Sequence, residues 1–140
     1  APNVYGQMRA ISIAMKDANI SPDKVDYIKA HGTSTVLNDK IETETIKKMF
    51  GDKAYSIPVS SIKSMIGHTI GASGAIELIA CCLSLRDSII PPTINYTERD
   101  PDCDLDYVPN KARKAKLNVI MTNSFGFGGI NGVLILRRCE

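Results

Sequence analysis

Both histidines of the chain fall in short runs of small and hydroxyl-bearing residues: His31 in "KAHGTST", Lys29 to Thr35, and His68 in "SSIKSMIGHTIGASGA", Ser60 to Ala75. Lys63 stands five residues before His68. Each run follows an apolar segment short enough for one strand, and a third glycine-rich run, "NSFGFGG", does the same. If those strands lie parallel in one sheet, the loops converge at its carboxyl edge, where open α/β folds place their chemistry. Two convergent imidazoles offer two donors to one carbonyl oxygen as it becomes an enolate or a tetrahedral oxyanion, with roughly 3 kcal/mol of stabilisation per donor. Small neighbours leave room for a substrate. The hydroxyls of Thr33 and Thr35 are placed to bond a polar linker passing the site.

Taken singly, each residue also has a structural reading. A loop histidine is commonly a turn residue, Lys63 a solvated base, and Glu42 and Glu77 surface carboxylates on predicted helices. Phe125 and Phe127 read as core, although two of three phenylalanines flanking a glycine suggest a hinged hydrophobic gate. Cys81 and Cys82 fall mid-helix, Cys103 in a polar connection and Cys139 near the terminus, so none sits at a strand-to-helix elbow where a thiol is activated. The constellation is half of a site.

The elements that must position it are legible from periodicity. Met8, Ile11, Met15 and Ala18 give a helix from Tyr5 to Asn19, broken by "NISPD". "KVDYIKAHG" is a short buried strand ending in the His31 loop. Asn38 or Asp39 can cap a helix carrying Ile41, Thr45, Ile46, Met49 and Phe50 on one face, with Gly51 stopping it. "YSIPVSSI" is an edge-like strand because of Pro58. A helix from about Gly71 to Arg86 presents Ala75, Ile76, Leu78, Ile79, Cys82, Leu83 and Leu85 as a wide apolar face. A proline-rich connection follows, with a short strand expected near Leu105 to Val108, and the chain ends in the strands "LNVIMTNSF" and "NGVLILRRC". This order predicts an α/β fold, a mixed sheet covered by helices.

The bulk numbers bound the classes. With 140 residues, 44% of them hydrophobic and 23% charged, the chain reads as one domain with a proper core. No apolar run approaches the ~20 residues that span a bilayer. A net charge of +2 is too balanced for a nucleic-acid groove, and the basic run "NKARKAK" reads as a solvated loop. Four cysteines without CxxC spacing make a poor disulfide frame and a poor zinc site, so reduced thiols and no metal are expected. The chain starts at Ala1, inside a predicted helix and without a leader, and is expected to be a piece of something larger.

"AHGTST", "SSIKSMIGHTIGASGAIE", "PPTINY" and "TNSFGFGGINGVLIL" closely resemble, in order and spacing, the C-terminal half of β-ketoacyl-[acyl-carrier-protein] synthases, nearest to the synthase II type. The resemblance covers nearly the whole chain. It implies a thiolase-like fold, in which two similar α/β halves stack as five αβαβα layers, with residues 1–140 forming the C-terminal half. It implies decarboxylative condensation in fatty acid elongation: an acyl group on a cysteine is attacked by the carbanion from malonyl-carrier protein. By resemblance His31, His68 and Lys63 are catalytic, Glu77 is the carboxylate partner of Lys63, and Glu42 is a second carboxylate near it. Thr33 and Thr35 match the threonines bonding phosphopantetheine, Phe127 the gate with Phe125 beside it, and Gly128 and Gly129 the hinge.

No bound cofactor is implied, since substrates ride on the phosphopantetheine of acyl carrier protein. The partners implied are that carrier, the missing N-terminal half and a second subunit in a homodimer, in the cytoplasm or an organellar matrix, with no nucleic acid or membrane. The nucleophilic cysteine belongs to the missing half, so the fragment alone is expected to be inactive and to expose apolar surface meant for that half. Val36 and Asn38 depart from the family's usual proline and glycine. Three other readings stand beside this one: a thiolase, disfavoured because "NSFGFGG" lacks a cysteine, a non-catalytic chain-length partner of a polyketide synthase, and an isolated folding module.

Overall fold

Period-two alternation along short strands sorts side chains to two faces, and helices of matching polarity cover each. The computed structural model describes residues 2–139. In chain order they form α1 (Val4–Asp17), β1 (Tyr27–Lys29), α2 (Val36–Phe50), β2 (Val59–Ser60), α3 (Lys63–Ile66), α4 (Ser73–Asp87), β3 (Ile89–Ile90), β4 (Arg113–Lys114), β5 (Val119–Phe125) and β6 (Asn131–Arg137). The main sheet has the order β2-β1-β5-β6. Strand β1 runs parallel to β2, with Ile28 opposite Val59, and parallel to β5, with Ile28 opposite Met121. Strand β6 returns antiparallel to β5. The three strands preceding the glycine-rich runs are therefore parallel, as the sequence requires for their loops to converge.

Ile28 and Met121 face α1 and α2, joining Ile11, Met15, Ile46 and Phe50 in one core. Their neighbours Tyr27 and Ile120 face the other way, onto Cys81 and Leu85 of α4. Burying each such side chain contributes about 1.5–3 kcal/mol, so the sheet is held from both sides. Among the described residues no helix is long and apolar enough to cross a membrane, and no group of His, Cys, Asp or Glu could hold a metal ion.

Four expectations are corrected. Helix α2 starts a turn before Asn38, because Thr35 is its cap and accepts from Asn38 N at 3.4 Å. Asn38 is thereby moved inside the helix, where its side chain donates to Glu42. Leu105 to Val108 is not a strand, although the Asp106 carbonyl accepts from Val59 N at 2.8 Å. Part of the basic run is not a loop: Arg113 and Lys114 form β4, exposed and paired with β3. On α4 the side turned to the sheet is Ser73, Glu77, Cys81, Ser84 and Leu85, while Ile79 and Leu83 of the expected apolar face are exposed. A carboxylate on the inner side of that helix needs buried cations opposite it, and the sheet supplies them.

Candidate active site

Parallel strands bring three carboxyl ends to one edge. From β1 the chain delivers His31, from β2 it delivers Ser61 and then Lys63 at the start of α3, and β5 ends on Phe125. The His31 and His68 rings meet edge to face with centroids 5.5 Å apart, and the Phe125 ring lies 6.2 Å from His31. His31, Lys63, Glu77 and Phe125 are all buried, whereas His68 lies at the exposed rim.

The backbone at His31 is held from beneath by Glu42. One Glu42 oxygen accepts from His31 N at 2.9 Å and Asn123 Nδ2 at 3.1 Å, and the other from Gly32 N at 2.9 Å and Asn38 Nδ2 at 3.2 Å. Burial raises the Glu42 carboxyl above its ordinary range, and these four donors oppose that shift. From the other side Ser61 Oγ donates to the Gly32 carbonyl at 2.8 Å. Gly32 has φ +44°, and a Cβ there would fall 2.5 Å from Ser61 Cβ, so the turn admits only glycine.

Both rings have their Nδ1 engaged. Lys63 Nζ lies 3.4 Å from His31 Nδ1, and a lysine ammonium has donors only, so Nδ1 accepts. Ile70 N donates to His68 Nδ1 at 3.1 Å, with Ser73 Oγ also 3.1 Å away. In the neutral form each imidazole then carries its proton on Nε2, the atom left free for a ligand. Burial first, then the charges of Lys63, His68 and Lys29, pull the His31 imidazole down to about 3, so it is neutral near pH 7.

That shift has a consequence for stability. An unfolded chain protonates His31 near pH 6.5, while the folded chain does not until about 3. Between those values the unfolded state binds more protons, so this group's contribution to stability falls as pH drops. Urea midpoints at pH 7 and pH 4.5 are expected to differ more for the wild-type chain than for His31→Gln. An equal loss in the two proteins would contradict a buried neutral imidazole.

Behind Lys63 lies a charge cluster. Glu77 Oε1 accepts from Lys63 Nζ and, at 2.6 Å, from Lys29 Nζ, which also donates to the Ala30 carbonyl at 2.7 Å. Burial lowers the Lys29 ammonium from its ordinary range and Glu77 opposes the shift. Burial pushes the Cys81 thiol up to about 12, as expected of a structural cysteine.

The site opens on a cleft of about 600 Å³ lined by Gly32, Thr33, Thr35, Lys63 and His68, among others. The Thr33 and Thr35 hydroxyls bond each other at 2.9 Å. The structure thus gathers His31, His68, Lys63, Glu77 and Phe125, with Thr33 and Thr35 on the cleft wall. Glu42 lines the same cleft as Lys63 and binds the backbone of the His31 loop. Phe127 is 97% exposed at the tip of a loop turned by Gly128 at φ 73° and Gly129 at φ 82°. Lys29, Ser61 and Asn123 join the site unannounced by any motif, and Asn38, expected as a helix cap, donates to Glu42 instead. The signal for Lys29 and Asn123 was a polar residue at the carboxyl end of a strand that opens with apolar residues; both are fully buried.

Comparison with known proteins agrees with this geometry. Residues 1–97 match the family described as beta-ketoacyl synthase, C-terminal domain. The 3-oxoacyl-[acyl-carrier-protein] synthase 2 of Coxiella burnetii is 52% identical over 137 residues, which cover 98% of this chain and 33% of that protein. Among solved structures, the ishigamide ketosynthase/chain length factor matches 100% of this chain with TM-score 0.96 and 44% identity, over 34% of its own chain. A type II polyketide ketosynthase complex with its acyl-carrier protein matches 99% of this chain and 34% of its own, with TM-score 0.94 and 44% identity. The chain spans about a third of the length of the curated relatives it matches. A parallel-strand edge carrying the paired histidines, a thiolase-like half fold, and a family match over most of the residues agree: this chain belongs to the β-ketoacyl synthase family.

Proposed function

We propose that this chain is the C-terminal catalytic segment of a 3-oxoacyl-[acyl-carrier-protein] synthase acting in fatty acid elongation. The observation that carries the reading is the histidine pair, with both Nδ1 atoms engaged and both Nε2 atoms free. The Nε2–H groups of His31 and His68 bond the malonyl thioester oxygen. As the Cα–carboxylate bond breaks and CO₂ leaves, its electron pair forms the enolate, whose negative charge gathers on that oxygen. The enolate carbon then attacks the acyl thioester, and the cysteine thiolate of the upstream segment departs.

In this reading Lys63 fixes the His31 tautomer and supplies positive charge, Glu77 holds Lys63, and Glu42 sets the loop. The Thr33 and Thr35 hydroxyls bond the phosphopantetheine arm. Phe125 packs beside the reacting groups, and Phe127 swings on Gly128 and Gly129 to admit the acyl chain. Acyl carrier protein brings both substrates, and the synthase works as a soluble homodimer. Support comes from the synthase 2 identity, and from the relative whose structure is a complex with its carrier protein.

The test is acylation of the full-length synthase. Incubation with an acyl-carrier protein thioester is expected to place one acyl group on a cysteine upstream of this chain, found by mass spectrometry. No adduct would favour a chain-length partner, in which the fold persists without a nucleophile.

A further inference from the structure

We propose that Lys29 is a positioning residue of this site: by sharing Glu77 Oε1 with Lys63, it leaves the buried cluster with a net positive charge directed at His31. The inference rests on the reading that the histidine pair holds the thioester oxygen. Lys29 occupies the last position of β1, opposite Ser60 on one neighbour and Thr122 on the other, and is 0% exposed. A strand position this deep is ordinarily apolar, because removing an ammonium from water is costly unless it is paired. Here the pairing is unusual. Glu77 uses one oxygen for two lysines, while its Oε2 is buried with no hydrogen-bond partner.

The charge count gives the consequence. Lys29, Lys63 and Glu77 together sum to one positive charge; without Lys29 the remaining pair is neutral. Lys63 is the member of the cluster that touches His31, at 3.4 Å from Nδ1. With Lys29 competing for the carboxylate, the charge on Lys63 is incompletely compensated and acts on the imidazole and on negative charge developing beyond it. Lys29 itself touches neither histidine and acts through Glu77 and Lys63.

The test uses the full-length synthase, with CO₂ release from malonyl-carrier protein as the readout. Lys29→Met is expected to lower kcat about tenfold, the order expected for losing one unit charge at an effective dielectric near 20, with KM unchanged. The His31 titration followed by NMR should move to higher pH, because a repelling cation is gone. Lys29→Met/Glu77→Gln restores the net positive charge and is expected to return the His31 titration toward its wild-type position, which a merely structural lysine does not predict. Lys29→Gln, which keeps a donor for the Ala30 carbonyl, repeats the test should methionine disturb folding. Wild-type kcat and an unmoved His31 titration in a folded Lys29 variant would overturn the inference. A wild-type synthase that releases no CO₂ would instead sink the functional reading on which it rests.

Discussion

In the full-length synthase, His68→Ala is expected to cut the rate of malonyl decarboxylation by about 10²–10³-fold, the usual cost of one oxyanion donor. The geometry says why the loss should be large and local. His68 Nδ1 is taken by Ile70 N, so its Nε2 has one orientation and needs no rearrangement to meet the substrate oxygen. The residue lies at the exposed rim, so truncation leaves the buried Lys63, Glu77 and Glu42 contacts intact. Acyl transfer to the upstream cysteine should therefore continue while release of labelled CO₂ from malonyl-carrier protein stops. Undiminished CO₂ release in a folded His68→Ala protein would contradict the assignment.

The second large effect is on stability. Glu77→Ala is expected to cost about 3–5 kcal/mol, because it leaves two buried ammonium groups without their carboxylate. Lys29 is 0% exposed and Lys63 is 8% exposed, so water cannot take over the role of Glu77. Against a total stability of about 5–15 kcal/mol this is enough to bring a domain near unfolding. The measurement is the denaturant midpoint of the variant beside wild type, with Lys29→Met/Glu77→Ala as the partner protein. Removing one of the stranded charges should return part of the loss. A midpoint equal to wild type in Glu77→Ala would mean that the lysines do not depend on this carboxylate.

Much of the fold is legible in the sequence. The short apolar runs of β1 and β5 mark strands buried on both faces, and the helical spacing of Ile11 with Met15 and of Ile46 with Phe50 marks helix faces that the structure buries together. The convergence of the histidines followed from three apolar segments each ending in a glycine-rich run. What could not be read depends on contacts far apart in sequence. Periodicity assigns α4 an apolar inner face, yet its Glu77 turns inward because Lys29 and Lys63 arrive from other elements. Glu42 lies eleven residues from His31, and only the fold shows that it binds that residue's backbone. Thr35 displaced Asn38 as helix cap because its hydroxyl accepts from the Asn38 backbone N–H and starts the helix a turn earlier. Phe127 carries a motif position but no contact in this chain that would fix it against the histidines.

The central claim is that His31 and His68 grip one thioester oxygen. It is tested most directly by a structure of the full-length synthase with a non-cleavable malonyl thioester analogue. The account predicts the analogue's carbonyl oxygen within about 3 Å of both Nε2 atoms, with Lys63 still at His31 Nδ1. An oxygen bonded to only one ring, or turned away from both, would contradict it.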